Sequence, residues 1–183
     1  MTTPPIQNIA VIGLGTIGHS VAQVYAAAGC TVRCFDPDPT TGASLANRVR
    51  TNLKQMADAG LSSRDDIEHV VSRFVICDSE AEAVSGAGFV SEAAAEDLTT
   101  KQALFARLEN HVDRHTILAS NTSTYPMTQI SRDMVHPDRA LVTHPFNPPH
   151  LLPIIEVVPG KSTSEQTLSL IHISEPTRPL YTS

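Results

Sequence analysis

No apolar run in these 183 residues is long enough to cross a membrane. Positive charge is scarce as well: 13 lysines and arginines face 19 acids, and a net charge of −6 argues against nucleic acid or an anionic membrane as partner. Cysteine is sparse, and the three present (Cys30, Cys34 and Cys77) are an odd number without CxxC spacing, which suits reduced thiols in a cytosolic protein. The opening MTTPPIQN carries no basic residue, so it reads as neither a signal nor a transit peptide, and a cytoplasmic location is expected. Histidines are scattered without metal-ligand spacing, so no metal site is expected. The length suffices for one good core, or for one domain and a fragment.

What is present is an alternation of strand and helix patterns. Ile9–Ile12 is a short apolar strand, followed by a helix with Val21, Val24, Tyr25 and Ala28 on one stripe and Gly29 as its stop. Thr31–Phe35 reads as a second strand. Asp38 and Pro39 open a helix whose stripe is Leu45, Val49, Leu53 and Met56, closed by Gly60. Phe74–Cys77 and Phe89–Glu92 read as strands around a short Ala-rich helix. Thr99 and Gln102 form a capping-box pattern ahead of Leu104, Phe105, Leu108 and Val112. Thr116–Ala119, Ala140–Thr143 and Ile154–Val158 complete the strands. Strands separated by helices predict an α/β fold with a mostly parallel, doubly wound sheet covered on both faces.

Gly13, Gly15 and Gly18 form G-x-G-x-x-G between the first strand and the first helix, the context a dinucleotide needs. Gly13 permits the turn, Gly15 lets backbone approach a pyrophosphate, and Gly18 allows close helix–strand packing. The helix start, with Thr16 and Ile17, offers free N–H groups and a positive dipole end to phosphates. Asp36 ends the second strand about 20 residues further on, where its carboxylate meets a ribose diol. That charge repels a 2′-phosphate, and Pro37 follows where an arginine would serve one. The expected cofactor is NAD, in a Rossmann-type fold.

The segment LVTHPFNPPHLLPIIEVV, from Leu141 to Val158, places His144 at the end of one strand and Glu156 within the next. Pro145, Pro148, Pro149 and Pro153 make the connection stiff. Strand alternation puts Ile154, Glu156 and Val158 on one face. A carboxylate in such an apolar run must find a partner or suffer desolvation, and a nearby imidazole is the natural one. A carboxylate–imidazole pair makes a general base poised near neutral pH.

The fingerprint, Ser120-Asn121-Thr122-Ser123 after a strand, and His144 followed by Glu156 together resemble the L-3-hydroxyacyl-CoA dehydrogenase family, from about Ile6 to Thr163. The resemblance implies that His144 takes the proton of a 3-hydroxyl while hydride passes to NAD, with Glu156 orienting the ring. It implies substrate contacts from Ser123, Asn147 and Lys101, and cofactor contacts from Glu96, Lys101 and Ser123. His19 is expected on a helix surface, and His150 as a lining or surface residue. The stretch from Pro145 to Pro153 departs from the aromatic pair and Val-Pro-Val continuation usual in the acyl-CoA enzymes. It is similar instead to relatives acting on free 3-hydroxy acids, such as carnitine or gulonate dehydrogenases and lambda-crystallins. The expected substrate is therefore a 3-hydroxyacyl-CoA or a free 3-hydroxy acid. A noncatalytic NAD-binding module or crystallin-like structural protein would share the glycine turn, but need not keep His144, Glu156 and Ser123. An NAD-dependent epimerase would need Tyr-x-x-x-Lys, and neither Tyr25 nor Tyr125 has a lysine at that spacing.

The family also carries a second, all-helical domain that closes the cleft and forms a homodimer, and nothing after Val158 reads as that domain. Residues 1–163 are read as the NAD-binding domain and 164–183 as a tail. Within the tail, LSLIHISEPTR from Leu168 to Arg178 is the in-frame translation of a transposon-end adapter used in sequencing libraries, so 168–183 is read as non-native. The chain alone is expected to be inactive, with apolar surface left bare.

Overall fold

The computed structural model describes residues 6–172. Seven strands form one sheet: β1 (Asn8–Ile12), β2 (Thr31–Phe35), β3 (Phe74–Ile76), β4 (Phe89–Glu92), β5 (Ile117–Ser120), β6 (Ala140–Pro145) and β7 (Ile155–Pro159). Their order is β3-β2-β1-β4-β5-β6-β7, parallel throughout except that β7 runs antiparallel to β6. The chain moves outward from β1 to β3 and then returns to β4 on the other side of β1. That reversal opens a crevice at the carboxyl ends of β1 and β4, where ligands bind in sheets of this kind.

Alternation along the strands splits the core in two. Ile9 and Val11 of β1 join one apolar cluster with α1 (Thr16–Ala27), α2 (Pro39–Asp58) and α3 (Ile67–Val71). Ala10 and Ile12 join the other, with α4 (Glu80–Val84), α5 (Leu98–Leu108) and α6 (Met127–Ile130). Both faces are covered, which is why the central strands read as continuous apolar runs.

Several local readings change. The buried stripe of α1 is Val21, Ala22 and Ala26, while Ala28 is exposed; the small alanines let the helix lie close to the sheet. Asp97 caps α5 by accepting the Thr100 N–H, and Thr99 lies inside the first turn. The five-residue α3 and four-residue α6 are too short to show a helical period. A last helix, α7, spans Glu165–His172, and its Leu168, Leu170 and Ile171 pack against the first cluster. The first part of the adapter-like string is thus helical, whereas 173–183 lie outside the described residues. No helix among the described residues is long and apolar enough to cross a membrane. Cys30, Cys34 and Cys77 are free thiols, and burial pushes each above its ordinary value.

Candidate active site

The glycine turn sits at the carboxyl end of β1, as its spacing predicts. Gly13 has φ +90°, and a Cβ there would lie 2.6 Å from the Ala93 carbonyl oxygen. Gly18 is tighter still, its Cβ falling 1.9 Å from the Gly13 carbonyl oxygen. Beside Gly15 there is nothing within 4 Å, so the turn leaves open space where a pyrophosphate needs it. Gly15 is the N-cap of α1 and has no side-chain hydrogen bond to offer the helix start, which leaves N–H groups near Thr16 and Ile17 for an anion. These features fit NAD.

Asp36 ties the end of β2 to this turn. Its Oδ2 accepts the Leu14 N–H at 2.7 Å and its Oδ1 accepts the Asp38 N–H at 3.0 Å. Each carboxylate oxygen keeps a further lone pair for a ribose hydroxyl. Arg48 of α2 braces the other side, donating to the Leu14 carbonyl at 2.7 Å. Nothing in the local pattern around Arg48 announces a contact 34 residues back along the chain.

His144 is the last residue but one of β6, and the antiparallel register sets Glu156 of β7 directly opposite. The His144 Nδ1 and Glu156 Oε2 lie 3.0 Å apart, which leaves Nε2 for a ligand. Contrary to the burial expected from its apolar flanks, Glu156 is 59% exposed on its side chain and His144 is 34% exposed. The reason is topological: β7 is the sheet's edge strand, and only β6 lies beside it. A contact so wet contributes orientation more than stability. Ser123 and Asn147 are exposed just past the ends of β5 and β6, neighbouring parallel strands, so both stand at the His144 edge of the sheet. The Asn147–Pro148 bond is cis.

Glu96 and Lys101 do meet, at 3.2 Å, but Lys101 is only 1% exposed. Its ammonium is held also by Glu92, at 2.7 Å. Partial burial pushes Glu96 up, yet the Thr122 hydroxyl and the Lys101 charge outweigh it and hold the carboxyl below its usual range. Glu92 was not legible as a site residue. The available signal was an acid closing the apolar strand Phe89–Glu92, with a lysine nine residues on in the first turn of a helix. On the other face, Asn121 bonds Ser91 and Thr143, stitching β4, β5 and β6 together one residue before His144.

His19 and His150 are not independent surface groups. His150 Nδ1 meets the Ser20 hydroxyl at 3.1 Å, and that hydroxyl lies 3.4 Å from His19 Nε2. The chain of contacts fastens the proline loop to α1. Burial chiefly depresses both imidazoles below the ordinary 6.5, with Arg48 adding to His19 and His19 adding to His150. The unfolded chain therefore takes up these protons first as pH falls. The stability they contribute is present above about 6.5 and is lost as pH drops through the depressed folded values. The thermal midpoint is expected to fall between about pH 7.5 and 5.5, and the His19→Gln, His150→Gln double variant should flatten that part of the slope.

A cavity of about 470 Å³ opens among α1, α2, α3 and the proline loop, lined in part by Gln23, Met56, His69, Arg73 and His150. It includes neither His144 nor the glycine turn. Among the described residues, no group of three or more His, Cys, Asp or Glu side chains is placed to hold a metal ion.

Residues 8–173 match the family described as 3-hydroxyacyl-CoA dehydrogenase, NAD binding domain. The chain is 30% identical over 173 residues to lambda-crystallin of Oryctolagus cuniculus, covering 94% of this chain and 54% of that protein. It is 35% identical over 165 residues to L-carnitine dehydrogenase of Streptomyces coelicolor, covering 90% and 51%. Among solved structures, 3-hydroxybutyryl-CoA dehydrogenase from Escherichia coli superposes with a TM-score of 0.86 at 30% identity, over 93% of this chain and 36% of that one. The chain thus spans about half the length of the curated relatives it matches. The glycine cradle, the strand order and these likenesses agree, and the chain belongs to the 3-hydroxyacyl-CoA dehydrogenase family, of which it carries the NAD-binding domain.

Proposed function

We propose that this chain supplies the cofactor site and the base of a dehydrogenase that oxidises the 3-hydroxyl of a 3-hydroxyacyl-CoA or a related free 3-hydroxy acid to the 3-oxo product. The observation that carries this reading is the His144–Glu156 pair, set in register towards the carboxyl ends of the parallel strands, the side of the sheet that also carries the glycine turn. A secondary alcohol gives up hydride readily only as its O–H proton leaves, so a base must touch the hydroxyl. His144 Nε2 takes that proton. Glu156 holds Nδ1, fixes the tautomer that leaves Nε2 unprotonated, and stabilises the imidazolium that results. NAD, when bound, accepts the hydride from the carbinol carbon. In the reverse direction the imidazolium returns its proton to the developing alkoxide.

Ser123 is suited to hydrogen-bond the substrate oxygen or the cofactor's nicotinamide end, and Asn147 to contact substrate from the loop after His144. Glu96 presents a half-open carboxylate to the cofactor, while Lys101 supports it from the interior. The names of the relatives include both a carnitine and a hydroxybutyryl-CoA dehydrogenase, and the proline-rich loop leans toward the free acids. The proposed active form carries the other half of its relatives' length and is a homodimer.

The test is an NAD-reduction screen of that longer form with 3-hydroxybutyryl-CoA, carnitine and gulonate. NADH formation with at least one of them is expected. Tight NADH binding with no turnover of any 3-hydroxy substrate would leave a binding module in place of an enzyme.

A further inference from the structure

Glu92 is the most deeply buried carboxylate of the strand ends, with no exposed surface. Register places it between Ile12 of β1 and Ser120 of β5, at the crevice where the sheet order reverses. A carboxylate taken out of water is strongly disfavoured unless its oxygens are matched. Here they are: Oε1 accepts from Lys101 Nζ and from the Ala94 N–H, each at 2.7 Å, and Oε2 accepts from the Ser120 hydroxyl. The Ala94 contact fixes the segment whose Ala93 carbonyl walls the glycine turn. The Lys101 contact divides one ammonium between two acids, the buried Glu92 and the half-open Glu96.

We infer that Glu92 is a positioning residue for the cofactor. It keeps Lys101 drawn inward, so that Glu96 shares the cation and keeps carboxylate capacity for a cofactor hydroxyl, and it holds the 93–96 segment against the glycine turn. The inference rests on the cofactor reading of this crevice. Without Glu92's charge, Lys101 pairs with Glu96 alone and takes up the capacity that a ligand would use.

NADH titration of the 183-residue chain, read from the fluorescence of the reduced nicotinamide, tests this directly. Glu92→Gln keeps the shape and removes the charge. NADH affinity is expected to weaken about tenfold, as for loss of one charge-assisted contact. The Glu92→Gln, Lys101→Met double variant removes both buried charges and leaves no ammonium to occupy Glu96, so it should recover the thermal midpoint and bind NADH more tightly than Glu92→Gln. If the double variant regains stability yet binds NADH no better than Glu92→Gln, capture of Glu96 by Lys101 is not the cause of the loss and the inference fails. It fails equally if Glu92→Gln folds and binds NADH within about twofold of wild type, a difference of under 0.5 kcal/mol. Should the single variant not fold, Glu92→Asp, which keeps the charge on a side chain too short to hold Lys101 and the Ala94 N–H together, is titrated in its place under the same twofold limit. A wild-type chain that binds no NADH would instead overturn the cofactor reading itself, a different result from either of these.

Discussion

Replacing His144 by glutamine lowers the steady-state rate of hydride transfer by about 100- to 10,000-fold in a protein that carries this chain and the remaining half of its relatives' length. Glutamine retains the size and can still donate to Glu156, but it has no nitrogen that accepts a proton near neutral pH. The lost term is therefore proton transfer, and NADH affinity should stay within about twofold, because the glycine turn and Asp36 are untouched. Glu156→Gln should cost less: the imidazole keeps a partner at Nδ1 and loses only the charge that stabilises the imidazolium. Both effects are read from NADH formation at saturating cofactor. A His144→Gln protein that keeps its original rate would leave the His144–Glu156 contact as an edge-strand ornament, and the chain as a nucleotide holder. The 183-residue chain itself is expected to turn over little substrate. His144 stands 34% exposed, and water at the site weakens the electrostatics on which proton transfer relies.

The exposure of that edge also explains what could and could not be read from the residues. The alternation of apolar strand and helix is strong because two apolar clusters press on the sheet from opposite faces, so the doubly wound arrangement was legible. The glycine turn was legible for a related reason. Three glycines at fixed spacing answer to contacts that admit no Cβ at Gly13 and Gly18, and such contacts leave a mark in the sequence. Glu156 was found for a reason that did not hold: its apolar flanks suggested burial, and they are instead bare. Ile155 and Val158 of this strand are 50% and 46% exposed, and Ile154, Leu151 and Leu152 ahead of it are also open. An apolar strand looks the same in sequence whether its cover is its own sheet partner or another body.

Glu92, Arg48 and Ser20 were missed because each acts across a long sequence separation. Glu92 reaches Ser120 across 28 residues, Arg48 reaches Leu14 across 34, and Ser20 meets His150 across 130. Local periodicity carries no information about such pairs. The cap of α5 shows the opposite limit. Asp97 and Thr99 lie two residues apart and both are good capping types, so backbone geometry alone decides for Asp97.

The glycine turn yields the second large effect, and a pair of substitutions separates fold from ligand. Gly18→Ala puts a methyl 1.9 Å from the Gly13 carbonyl oxygen, far inside contact distance. That oxygen cannot simply retreat. The Gly13 N–H is bonded to the Phe35 carbonyl at 2.8 Å, and Gly13 itself already lies against Ala93. Relief must come from α1 shifting away from the turn, which moves the N–H groups meant for the pyrophosphate. Overpacking of this kind costs about 1–3 kcal/mol, so a thermal midpoint lower by roughly 2–12 °C is expected at this chain length. NADH affinity should fall more than about tenfold, since the anion site is displaced as well. Gly15→Ala meets no atom within 4 Å and should cost the fold about 1 kcal/mol or less, the change in N-cap preference. Its methyl nonetheless occupies the space left for the phosphates, so affinity should drop with little change in midpoint. If Gly15→Ala binds NADH as wild type does, the open space beside that residue is not where the pyrophosphate lies. The turn would then serve helix packing alone, and His144 would have no cofactor beside it.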